Sequence, residues 1–274
     1  VRETKTVRTD PATQLLAAVV LSAGMVAGSA AHAANCVVSY DKLKQALKES
    51  VEASGGPKNG GFGNNEWAVV EARDGTICAV AYSGNTLGDQ WPASRAIAAE
   101  KANTADGMST AKFALSTANL YASSQPGGYL FGGVSTNPPD PAVLYAGEPP
   151  TYGTENDPLV GKHLGGVVVF GGGLGLYDPS GIVGALGVSG DTSCADQNVA
   201  WRIRKALGLD KVPNGPTPKK NDAAIYDIGA NGKSASGFGH PSCGRGEERI
   251  GEEIGAAVAP EHAHERAEAP RDAR

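Results

Sequence analysis

The hydrophobic pattern of the chain is most regular between Gly165 and Asp210. Val167–Phe170 is a short apolar, β-branched run that predicts a buried strand. Tyr177-Asp178-Pro179-Ser180-Gly181 reads as a turn, because Pro179 fixes φ and Gly181 tolerates positive φ. Ile182–Val188 predicts a second apolar strand. After Ser189–Ser193, the residues Ala195, Val199, Ile203 and Leu207 recur every four positions and predict a helix with one apolar face. Ser193 with Asp196 three residues on reads as a capping box, and Gly208 as the residue that ends the helix.

The same reading applies upstream. Leu43, Ala46, Leu47 and Val51 give an amphipathic helix over Tyr40–Ala53, with Ser39 as cap. Trp67–Ala72 and Thr76–Tyr82 are strands joined at Arg73-Asp74-Gly75, a hairpin signal. Pro92 fits the first position of an alanine-rich helix running through Ala102, and so many alanines let that helix lie close to its neighbour. Phe113–Ser123 predicts a further short helix. Gln125–Pro158 is rich in Pro and Gly with interspersed tyrosines, and is expected to be an ordered flap over the sheet or a subunit contact. Pro213–Asp222 reads as a linker and Ala223–Ile228 as a last short strand. Residues 223–243 are expected to form a covering arm, and residues 244–274, with little apolar content, a disordered or weakly helical tail.

Two blocks carry a family resemblance. EWAVVEARDGTICAVAYSG with SRAIAAEKANTA, and IVGALGVSGDTSCADQNVA after Gly165-Gly166-Val167, resemble the GlcG/HbpS-like haem-binding family. The matching blocks run over Trp67–Ala105 and Gly165–Leu209, so the 125–158 segment makes this a longer, elaborated variant. The resemblance implies one α/β (α+β) sandwich over residues 34–243, profilin-like, with a central antiparallel sheet of about five strands flanked by helices. It also implies a haem or other tetrapyrrole ligand and a homo-oligomer. A redox-sensing or haem-handling role would follow.

Charge and cysteine usage place the protein in a compartment. Arg2, Lys5 and Arg8, the apolar run Leu15–Val26 and Ala31-His32-Ala33 form the pattern of a signal peptide over residues 1–33, so the mature chain is expected to begin at Ala34 or Asn35. The apolar run is too short and too rich in Gly and Ala to predict a membrane span, and none is expected after cleavage. Removing that segment takes away three basic and two acidic residues, so a net charge of −5 becomes −6. A mildly acidic chain without a basic cluster argues against nucleic acid as a partner. Four cysteines in an exported chain suggest two disulfides and a periplasmic or secreted protein. Three pairings are possible; Cys36–Cys78 with Cys194–Cys243 is the expected one, because each bond would tie a flanking segment to the core. No Cys-x-x-Cys spacing supports zinc instead.

Candidate chemistry is sparse. Haem iron takes His, Met, Cys or Tyr as axial ligand. His163, just before Gly165-Gly166, and His240, in the Gly-rich arm, are the candidates; Met108 and Tyr121 are weaker ones, and His262 and His264 belong to the tail. No Cys-x-x-Cys-His motif supports covalent attachment. Lys101 reads most simply as half of a solvated pair with Glu100, and the resemblance alone keeps it as a cofactor-binding candidate near a pocket. The helix start at Ser189, Gly190, Thr192 and Ser193 could receive the anionic group of a small organic acid, although capping is the simpler use and Asp191 would repel an anion. Such a binder, accessory or sensory, is the second reading of function. An enzyme is the third, and nothing specific supports it: Gly187-Val188-Ser189-Gly190 lacks the G-x-S-x-G spacing. Trp201 falls opposite the Val199/Ile203 face and is expected either at a subunit contact or alone on the surface.

Overall fold

The computed structural model describes residues 36–51 and 59–258. The signal-peptide pattern, His262 and His264 lie outside the described residues. Helix α1 (Tyr40–Val51) precedes the hairpin of β1 (Trp67–Ala72) and β2 (Ile77–Tyr82). Helix α2 (Ser94–Met108) follows, then a long irregular stretch. Strands β3 (Gly173–Asp178) and β4 (Gly181–Ser189) lead into α3 (Ser193–Ala206). The sheet is antiparallel in the order β2-β1-β4-β3, four strands where about five were expected. A separate parallel pair joins β5 (Ala224–Ile225) to β6 (Ala257–Val258), and helix α4 (Glu247–Ile254) lies between them in sequence.

Alternation along the strands divides the core. Ala68, Val70, Leu174, Leu176, Leu186 and Val188 face α1 and α3, where they meet Leu43, Leu47, Val199 and Ile203. Trp67, Val69 and Val80 face α2 and meet Ala98, Ala99 and Ala102, with Leu144, Leu159 and Leu164 closing the cluster. The alanine face of α2 works with the cross-strand glycine pair Gly173 and Gly187 beneath it. A Cβ on Gly187 would stand 1.9 Å from the Ala98 carbonyl oxygen and 2.5 Å from the Ala102 nitrogen. Only a bare backbone lets the helix rest there.

Several boundaries differ from the sequence reading, each for a physical reason. Val167–Phe170 is not a strand: the Val168 N–H donates to Thr104 Oγ1 and the Phe170 carbonyl accepts from Thr117 Oγ1, so side chains take its backbone bonds. The strand starts at Gly173 instead. Thr192, not Ser193, caps α3, its Oγ1 accepting the Ala195 N–H at 3.2 Å. Asp196 is turned away from that cap. Helix α2 begins at Ser94 rather than at Pro92, and the expected helix over 113–123 is reduced to a 3-10 turn at Thr117–Leu120 and one helical turn at Tyr121–Ser124. Gly208 does end α3, with φ +69°.

The supposed tail is ordered as far as Val258. Glu247 is fully buried, its Oε1 accepting from Thr192 Oγ1 at 2.8 Å and its Oε2 from the Arg245 N–H at 2.6 Å. Ile250, Ala257 and Val258 are buried beside it. Few apolar residues suffice because a paired carboxylate anchors the helix start. Both disulfides have the expected partners: Cys36–Cys78 ties the segment before α1 to β2, and Cys194–Cys243 ties the arm to α3. Trp201 is half-buried and not alone on the surface; it packs against the core with the Arg204 guanidinium 4.4 Å from its ring centroid.

Candidate functional site

An apolar cavity of about 460 Å³ lies between the start of α2 and the 125–158 segment. Trp67 and Leu87 form its base, Pro92 and Ala96 one wall, and Leu144, Tyr145 and Tyr152 the other. Each wall is fixed from behind. Trp67 opens β1, donates its indole N–H to the Trp91 carbonyl at 3.0 Å and meets the Tyr82 ring edge-on at 5.2 Å. Arg95, on the first turn of α2, is buried and forms a two-pronged ion pair with the buried Asp157. Its Nη1 also donates to the Leu144 carbonyl at 3.0 Å, and its guanidinium lies 3.9 Å from the Tyr152 ring centroid. Asp157 accepts in addition from the N–H groups of Gly153 and Leu159. One cation on α2 thus ties the 144–157 part of the flap to the helix, and its polar atoms are consumed within the wall. What remains facing the cavity is apolar, apart from phenols. Tyr152 donates its hydroxyl to the Ala146 carbonyl at 3.2 Å. Tyr145 is 74% exposed, and its hydroxyl makes no hydrogen bond among the described residues.

The residues singled out from sequence lie elsewhere and do not converge. His163 is exposed at the β1–β2 turn, against Gly75, with Nε2 3.3 Å from Thr76 Oγ1. His240 is 1% exposed between the rings of Tyr121 and Tyr226. Its Nδ1–H donates to the Pro241 carbonyl at 2.8 Å and its Nε2 accepts from the Gly171 N–H at 3.2 Å. Burial pushes its pKa down to about 4, so the ring is neutral with both nitrogens engaged. Neither histidine lines the cavity, and neither does Met108 or Tyr121. All four cysteines are bound in disulfides.

Lys101 is not half of a solvated pair. It is 1% exposed and donates to Asp196 Oδ2 at 2.7 Å and to the Val188 carbonyl at 2.9 Å. Asp196 Oδ1 in turn accepts from the N–H groups of Gly190 and Asp191. The Asp191 carboxylate accepts from Thr192, Phe62 and Asn64 N–H groups. The N–H groups of Gly190 and Thr192 in this loop are therefore taken by the protein's own carboxylates. The loop serves as a cap, the simpler of the two uses expected of it, with the Asp191 and Asp196 carboxylates at its backbone donors.

Sequence reasoning missed the cavity because its lining comes from four separated stretches and the pair that shapes it, Arg95 and Asp157, is 62 residues apart. It also missed two buried carboxyls, Glu66, whose Oε2 has no partner among the described residues, and Glu71, neither of whose carboxyl oxygens has one. Glu71 carried a signal. It shares the inward face of β1 with Trp67 and Val69, where an acid breaks the alternation.

No curated protein matches the chain. Among solved structures it is similar to PduOC in a haem complex, at 23% identity and a TM-score of 0.41, covering 61% of this chain and 89% of that one. It is also similar to the ORFY protein of Klebsiella pneumoniae, of the DUF336 family, at 20% identity and a TM-score of 0.40, covering 62% of this chain and 90% of that one. The model of the family described as haem-degrading protein HbpS-like matches residues 67–204. That match spans the four-stranded sheet, α2, the flap and every residue lining the apolar cavity. The chain belongs to the HbpS-like family.

Proposed function

We propose that this chain is an exported protein that binds haem non-covalently in the apolar cavity beneath the 125–158 flap, in haem handling or redox sensing. The cavity itself carries the reading: its volume of about 460 Å³ suits a small-molecule site, and its walls are apolar with aromatic faces. Membership of a family described as haem-degrading supports the same ligand class. The donor set fits with one change from the sequence expectation. His163 and His240 lie away from the cavity, and the cysteines are committed to disulfides, which removes thiolate ligation and thioether attachment. The lining offers phenols, of which Tyr145 has a free oxygen, and tyrosine is an established haem ligand. Bound haem would supply an iron centre that changes oxidation state; the protein's own part is to exclude water with Trp67, Leu144 and Tyr152 and to present Tyr145.

Export is supported by the two disulfides, which persist in an oxidising compartment, and by the N-terminal pattern of basic, apolar and small residues. Among the described residues no helix is long and apolar enough to cross a membrane. Self-association is supported by the exposed Tyr129 and Phe131 on the flap, and sedimentation of the mature protein tests it. The test of the ligand site is haem titration of the chain from Ala34 and three variants. Tyr145→Phe should alter the absorption spectrum of the complex, while His163→Ala and His240→Ala should leave it unchanged. A spectrum altered by either histidine variant and indifferent to Tyr145→Phe would overturn the placement.

A further inference from the structure

A smaller pocket, of about 170 Å³, lies at the C-terminal end of α3, walled on one side by the segment that the sequence reads as a linker. That segment is ordered and tightly tied. Thr217 is fully buried; its carbonyl accepts the Lys220 N–H at 2.9 Å, and its Oγ1 donates to Asn221 Oδ1 at 2.6 Å. A Cβ on Gly215 would stand 2.2 Å from the Asn221 carbonyl oxygen, so the two arms of the turn are in close contact. Within it Lys220 has φ +57°, the one positive φ at a residue other than glycine among the described residues. Lysine lacks the short polar side chain that lets Asn or Asp adopt this conformation by bonding locally. The turn therefore holds a lysine where glycine would be the relaxed choice.

Lys205, Lys219 and Lys220 line the pocket, and none of their ammonium groups has a partner among the described residues. The other charges of the lining are matched. Arg204 gives two parallel bonds to the Asp222 carboxylate, at 2.7 and 2.8 Å, and Asp210 accepts from Lys211 Nζ at 2.8 Å. Three positive charges are thus left uncompensated at one place on a chain whose net charge is −5. The carbonyl end of α3 opposes them with only about half a negative charge. Trp201 forms a half-buried wall, and its indole N–H has no partner among the described residues and meets solvent.

We propose that this pocket binds a phosphate group, held by the ammonium groups of Lys205, Lys219 and Lys220. Three point charges around one small space suit a compact dianion with oxygens on every side. The planar fork that best receives a carboxylate is not available, because the Arg204 guanidinium is already paired with Asp222. The volume lies below the roughly 300 Å³ at which drug-sized sites begin, so the bound group is small. A soluble phosphomonoester and a phospholipid head group offer the same chemistry, and the experiment separates them. The pocket shares no lining residue with the apolar cavity, and its test does not depend on haem.

The experiment is titration calorimetry of the mature chain with glycerol 3-phosphate at low salt, beside co-sedimentation with phosphatidylcholine vesicles that contain phosphatidic acid. Saturable binding in at least one arm, weakened by added salt, is the expected result, and the arm that shows it names the source. Lys219→Gln/Lys220→Gln should lower the affinity about tenfold or more, while Lys42→Gln, an exposed lysine of α1 outside the lining, should retain it. Lys220→Gly separates binding from structure: it should weaken binding without lowering the urea midpoint, because glycine relaxes the turn. Binding absent from both arms, equal affinity for acetate, or undiminished binding in Lys219→Gln/Lys220→Gln would each overturn the proposal. So would a Lys220→Gly variant that binds as tightly as the wild type.

Discussion

Replacing Glu71 by Gln should change the pH dependence of stability more than stability itself. Glu71 is 1% exposed, and neither carboxyl oxygen has a partner among the described residues. Burial, reinforced by Asp106 and Asp74 and opposed by Arg73, raises its pKa from 4.5 to about 9. The folded state therefore keeps a proton that the unfolded chain releases above its own, lower pKa. Stability is complete below the unfolded value and falls as pH rises through the window up to the folded one. Each unit within the window costs about 1.4 kcal/mol, so the step from about pH 5.5 to about pH 8 removes on the order of 3 kcal/mol. Gln keeps the shape of the protonated acid and cannot ionise. Urea unfolding at those two pH values should show the variant gaining about 3 kcal/mol over the wild type at the higher pH relative to the lower. Parallel stability profiles for the two proteins would refute the reasoning, because they would mean that Glu71 titrates alike in the folded and unfolded states.

Other outcomes follow from the packing. Gly187→Ala should destabilise by about 3 kcal/mol or more, since both atoms that its Cβ would strike belong to the α2 backbone, while Gly88→Ala, with nothing within 4 Å, should be nearly neutral by urea unfolding. Arg95→Ala should cost about 3–5 kcal/mol by leaving Asp157 buried and unpaired, and limited proteolysis should then cut within 125–158. Equal stability and equal protease resistance would show that the flap is held without the Arg95–Asp157 pair. Removing either disulfide should cost about 2–4 kcal/mol, given loops of 42 and 49 residues, read as a lower urea midpoint in Cys36→Ser/Cys78→Ser or Cys194→Ser/Cys243→Ser.

What the sequence revealed follows from how local each signal is. The β1–β2 hairpin and α1 announce themselves through periodicity and a turn dipeptide within a few residues. Strand β3 did not, because Gly173 and Gly175 leave its pattern without side chains, and the α2 backbone that needs Gly173 bare lies far away in sequence. Lys101 was misjudged for a related reason: helix spacing says where a side chain leaves the backbone, but not that Asp196, 95 residues on, waits to receive it. The ordered stretch from Glu247 to Val258 depends on a bond from Thr192, 55 residues away, which composition cannot register. The apolar cavity had no local signature either. Its aromatics were visible in the flap, but the contacts that close them over α2, the Arg95–Asp157 pair above all, are long-range.

The central claim is tested most directly by titrating haem into the mature chain and comparing it with Ala96→Trp, which places an indole in the cavity wall. A saturable, one-to-one Soret band in the wild type, lost in a variant that retains its fold, is the predicted result. A flat or non-saturating response in the wild type, or an equal band in the filled variant, would contradict the assignment of this cavity to haem.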